Sequence, residues 1–169
     1  MYKRPDVNTN VFHIYSNASF ANKANFHSQS GNAIILNSGT ILWYSKRQGS
    51  IATSTMHAEY ATMAEATKQV LWLHKLFKEL GYDQTKPTVM FGDNQAALQL
   101  TVNPMFHKRS WHFPISLEVT WEAIKWHQVV TEFQNTKMMV TDILTKALPK
   151  PSHQEHTHSL GLHLAWGGV

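Results

Sequence analysis

The chain has no cysteine among its 169 residues. Disulfide scaffolds, thiolate metal sites and cysteine nucleophiles are thereby excluded. Long apolar runs are missing as well: no stretch approaches the roughly 18 residues of a membrane helix, and Met1 to Asn10 lack the apolar centre of a secretion signal. The sequence reads as a soluble intracellular protein of undetermined compartment. Acidic residues are few. Eleven Asp and Glu stand against fifteen Lys and Arg, a net charge of +4, which gives only a mild bias toward polyanions. There is no linker, repeat or low-complexity tract either. What the chain does have is 43% hydrophobic residues, with six Trp and eight Phe, enough to fill the core of one ordinary domain.

The apolar pattern switches period along the chain. Val11 to Asn17 is β-rich, and Asn32 to Leu36 and Thr40 to Tyr44 flank the turn Asn37-Ser38-Gly39, so an antiparallel three-stranded start is predicted. From Thr55 to Leu80, Met56, Tyr60, Met63, Val70, Leu73, Leu76 and Phe77 recur at three- and four-residue steps. Ser54 or Thr55 caps this long amphipathic helix and Gly81 ends it. Pro87 to Asp93 reads as a buried strand running into a helix over Asn94 to Leu100. Further helices are predicted over Ile115 to Trp126 and Met138 to Ala147, with a strand over His127 to Phe133 between them. The order βββαβα, helix, β, α implies a mixed sheet with helices on its faces.

Three carboxylates stand in defined settings. Glu59 lies in the first turns of the long helix, Asp93 ends a strand at a β-to-α junction, and Asp142 falls in the last predicted helix. Acids from distant segments that meet at element ends are what a magnesium site requires. Asn17 closes the first strand at a position of the same kind but has no charge. Each residue also has a plain structural explanation. Glu59 favours a helix dipole, Asp93 with Asn94 can cap the next helix, and Asp142 with Lys146 makes an i,i+4 surface pair.

The order of these contexts resembles one family. Trp43-Tyr44-Ser45-Lys46-Arg47-Gln48, Ser54-Thr55-Met56-His57-Ala58-Glu59-Tyr60, Glu65-Ala66-Thr67-Lys68, Leu71-Trp72-Leu73, Asp93-Asn94-Gln95-Ala96-Ala97, Asn103-Pro104-Met105-Phe106-His107 and Thr141-Asp142-Ile143-Leu144-Thr145-Lys146-Ala147-Leu148-Pro149 are similar to blocks of the ribonuclease H domain in copia-type LTR retrotransposon Pol polyproteins. The likeness runs from Val11 to Leu162. Leu160-Gly161-Leu162 and Gly167-Gly168-Val169 resemble the end of such a polyprotein, so the chain reads as its last domain, the one that follows the reverse transcriptase. Residues 1–10 then form a polar lead, 11–150 the ribonuclease H-like domain and 151–169 the polyprotein tail.

The resemblance implies an α/β ribonuclease H-like fold, a five-stranded mixed sheet flanked by helices. It also implies metal-dependent endonucleolytic cleavage of the RNA strand in RNA–DNA hybrids by two Mg2+ ions, with Mn2+ as a substitute. Four carboxylates hold the ions in the family, and they fall on Asn17, Glu59, Asp93 and Asp142. Metal ligation is therefore expected from Glu59, Asp93 and Asp142. Nucleic-acid contacts are expected from Lys46, Arg47, Asn94, Gln95, His107, Lys108, Arg109 and His112. His107 and His112, beside Trp111, equally fit a core segment with histidines at a helix start. Partners implied are the hybrid itself and the reverse transcriptase of the parent polyprotein, with no membrane.

The chain departs from the family at Tyr15-Ser16-Asn17-Ala18, where the first catalytic Asp is an amide. An amide offers a carbonyl oxygen but neither the charge nor the second anionic oxygen that bridges two ions. Four carboxylates place about −4 against the +4 of two Mg2+, and Asn17 reduces this to about −3. Impaired catalysis is expected, with a catalytically inactive nucleic-acid-binding module and a transposon remnant as alternatives. His112-Phe113-Pro114-Ile115 with Ser116-Leu117-Glu118, and Asn135 to Met139, also lack charges common in the family.

Overall fold

The computed structural model describes residues 11–21, 26–103 and 118–162. Within them, strands β1 (Phe12–Ser19), β2 (Gln29–Leu36) and β3 (Gly39–Arg47) precede the long helix α1 (Thr55–Glu79). Strand β4 (Thr88–Gly92), helices α2 (Gln95–Val102) and α3 (Glu118–Lys125), strand β5 (Val129–Phe133), and helices α4 (Asp142–Thr145) and α5 (Lys150–Ser159) follow. The sheet order is β3-β2-β1-β4-β5. The β1–β2 and β2–β3 pairs are antiparallel, whereas β1–β4 and β4–β5 are parallel. A five-stranded mixed sheet is therefore present, as expected.

Alternation along β1 shows how the layers form. Phe12 and Ile14 are fully buried and join Ile34, Met63, Val70, Met90 and Val129 in a core under α1, α2 and α3. At roughly 1.5–3 kcal/mol for each large apolar side chain, this cluster outweighs surface pairs such as Lys68–Glu65, worth about 1 kcal/mol at most. On the opposite face, Tyr15 packs with Ala33, Val140, Ile143, Leu144 and Leu160. The Leu160 carbonyl accepts hydrogen bonds from the Thr40 N–H at 3.3 Å and the Thr40 hydroxyl at 2.8 Å, which ties the end of α5 to β3. Beyond Tyr15 the alternation lapses: Ser16, Asn17 and Ala18 are all buried, because protein covers both faces there.

One predicted element differs, and one helix was not predicted. The helix expected over 138–147 is a 3-10 turn over Thr136–Met138 followed by the four-residue α4. Asp142 consequently occupies the first helical position and not the interior. A further helix, α5, starts behind Pro149 with a proline in its first turn, where the missing N–H costs nothing. Among the described residues, no helix is long and apolar enough to cross a membrane.

Candidate active site

The acids collect where β1 and β4 end. Tyr15 pairs with Phe91 across the two parallel strands, and two residues farther along come Asn17 and Asp93. The β1–β4 junction is the kind of strand edge at which open α/β sheets place ligands. Helix α1 brings Glu59 from one face of the sheet, and α4 brings Asp142 from the other.

Each placement has a local cause. Ser54 caps α1, accepting from the His57 N–H at 3.1 Å, which starts the helix at Thr55, four residues before Glu59. Asn94 caps α2 in the same way, accepting from the Ala97 N–H at 3.1 Å, and so turns the chain directly after Asp93. Asp142 reaches the sheet because Gly31, opposite Asn17 in the register, has no side chain. A Cβ on Gly31 would lie 2.6 Å from Thr145 Cγ2 and 2.9 Å from Leu144 Cβ. Gly92 likewise lies close under α1, where a Cβ would sit 2.6 Å from Met63 Cε, the flexible end of that side chain.

The side chains then meet. The Asn17 amide nitrogen donates to Asp142 Oδ1. The other oxygen of Asp142 pairs with Lys146 Nζ at 2.9 Å. Glu59 Oε1 accepts from the Ala18 N–H at 2.9 Å, while its Oε2 is buried without a hydrogen-bond partner among the described residues. Asn17 is 4% exposed, Glu59 2% and Asp142 6%, so all three are cut off from bulk solvent. Asp93 is half-buried.

Electrostatics follow from this crowding. Burial is the chief force that pushes the Glu59 carboxyl up to about 8; the Ala18 N–H opposes it, the charges of Asp93 and Asp142 add to it, and Lys146 offsets it in part. At neutral pH Glu59 therefore carries a proton, which removes the cost of a buried, unpaired anionic oxygen. The sequence places Glu59, Asp93, Asp142 and Asn17 together, and the fold gathers all four at one end of the sheet.

A two-ion set is a poor fit to this arrangement. Asn17, where the resemblance leads one to expect a bridging carboxylate, presents an N–H donor, and both oxygens of Asp142 are engaged by protein donors. Among the described residues, no three Asp, Glu, His or Cys side chains stand close enough to hold a metal ion.

Of the expected nucleic-acid contacts, Lys46 and Arg47 are exposed on β3 at a cleft of about 330 Å3 that Tyr44, Gln48, His57 and Glu65 also line. Gln95 is exposed in the first turn of α2 and Asn94 is half-buried as its cap. His107, Lys108, Arg109 and His112 lie outside the described residues.

Two residues carry more than sequence reasoning assigned them. Gln48 donates from Nε2 to Ser30 Oγ at 3.0 Å, the Ala58 carbonyl at 2.9 Å and Thr62 Oγ1 at 3.2 Å, and so locks the end of β3 onto α1. Its place directly after Lys46-Arg47 was the available signal. Lys146 does make the i,i+4 pair with Asp142, but at a buried carboxylate and not on the surface.

In sequence the chain is similar to a segment of the retrovirus-related Pol polyprotein from transposon RE1 of Arabidopsis thaliana, 31% identical over 156 residues and 92% of this chain. It is likewise 31% identical over 150 residues, 88% of its length, to the Pol polyprotein from transposon TNT 1-94 of Nicotiana tabacum. The chain spans 11% of the length of each of these relatives. No family model matches it. In fold it is similar to LC11 ribonuclease H1 isolated from compost, with a TM-score of 0.56 at 14% identity, covering 81% of this chain and 94% of that one.

Proposed function

We propose that this chain, a segment homologous to retrovirus-related Pol polyproteins with a ribonuclease H fold, is a degenerate ribonuclease H that engages RNA–DNA hybrids and has lost most of its cleavage of the RNA strand. The observation that carries this reading is the hydrogen bond from the Asn17 amide to Asp142. Hydrolysis by Mg2+ or Mn2+ needs an anionic oxygen at that position to draw two ions together, and a nitrogen donor repels them.

Binding survives the loss because it uses other residues. Lys46 and Arg47 project from an edge strand whose end Gln48 fixes, and they meet phosphates as exposed cations. Asn94 and Gln95, beside Asp93 at the start of α2, supply neutral hydrogen-bonding groups suited to the sugar edge of a hybrid. Recognition of this kind reads backbone shape and 2′-hydroxyls more than base sequence. The Pol relatives suggest the reverse transcriptase of the parent polyprotein as the neighbouring partner.

A second reading, a slow but working nuclease, draws support from Glu59 Oε2, which is buried with no hydrogen-bond partner among the described residues and would ligate a cation on losing its proton. Comparing hybrid binding and hybrid cleavage by this chain and by an Asn17→Asp variant separates the two. Hybrid binding by both with far slower cleavage by the parent chain than by the variant supports the first reading, and comparable cleavage by the two supports the second.

A further inference from the structure

A carboxylate that is 6% exposed must be compensated by charge or hydrogen bonds from its surroundings. For Asp142, two groups among the described residues supply it: the Asn17 amide at Oδ1 and the Lys146 ammonium at Oδ2. Gly31 permits the close approach of α4 that makes the first of these contacts possible. A carboxylate at position 17 would instead face Asp142 across a hydrogen-bonding distance, with Glu59 and Asp93 acting on the same region. Two such anions stay together only with a shared proton or an intervening cation.

We infer that the Asn17 amide is a built-in substitute for a bound cation, which with Lys146 holds β1 and α4 together and makes this domain independent of divalent ions for its stability. This rests on the same reading of the site as the proposed function, but it concerns folding energetics and not nucleic-acid chemistry. It would stand even if the chain bound no hybrid.

Thermal unfolding tests it, with the full chain in a chelator and then in millimolar Mg2+ or Mn2+. The parent chain should melt at the same temperature in all three conditions. Asn17→Asp should melt about 4–8 °C lower than the parent in chelator and regain most of that loss when Mg2+ or Mn2+ is added. Asn17→Ala, which adds no charge, should also melt below the parent in chelator because the donor is gone. It keeps the test decisive if the Asp variant fails to fold in any condition. The inference is overturned if divalent ions raise the melting temperature of the parent as much as that of Asn17→Asp. It is equally overturned if either variant matches the parent in chelator.

Discussion

Asn17 and Asp142, 125 positions apart in sequence, are joined side chain to side chain, with the amide nitrogen donating to the carboxylate. The relationship reverses what the position would do as a carboxylate. There it would add negative charge and require a cation, whereas here it supplies a donor and requires none. The difference lies in one heavy atom of one side chain, an amide nitrogen in place of a carboxylate oxygen.

Glu59 makes the stability of the domain depend on pH. Its ordinary value is 4.5 and the folded value is about 8, so between these limits the folded state holds a proton that the unfolded chain has released. Its contribution is complete below about 4.5 and is lost as pH rises through about 8, with a slope of at most one proton, about 1.4 kcal/mol per pH unit. Urea unfolding in chelator across this range should show the decline, and Glu59→Gln should flatten it. An unchanged slope in the variant would show that Glu59 does not titrate as described.

Gly31 sets the distance between α4 and the sheet. Gly31→Ala places a methyl group 2.6 Å from Thr145 Cγ2 and forces the helix outward. A loss of about 1–3 kcal/mol is expected, measured as a lower urea midpoint. A variant as stable as the parent would mean that α4 yields freely and that the Asp142 contact is not sterically positioned.

Much of this was legible in the sequence. The strand order of the first hairpins, the long helix behind Ser54 and the β-to-α junction at Asp93 follow from apolar period and capping residues, which act over a few positions. The four site positions could be placed because each sits in a short, distinctive block. Three things were not legible. The helix expected over 138–147 is split into a 3-10 turn and the four-residue α4 because Met139 between them takes an extended backbone, with φ −78° and ψ 90°, which no local apolar period encodes. The protonation of Glu59 comes from burial, which no local pattern encodes. The amide of Asn17 could be seen as a missing charge, but that it donates to Asp142 depends on a contact spanning most of the chain.

Lys46 and Arg47 are expected to supply phosphate contacts. Replacing both by Ala should weaken binding to an RNA–DNA hybrid and lower the slope of log affinity against log salt by about 1–2. Melting temperature should be nearly unchanged, since both side chains are exposed. Equal affinity and equal salt dependence would remove this strand end from the binding surface.

Position 17 is the central claim, and cleavage of a labelled RNA–DNA hybrid in Mg2+ by the parent chain and by Asn17→Asp tests it most directly. The account expects the Asp variant to cut faster by on the order of a hundredfold or more. Equal rates, whether both high or both absent, would contradict it.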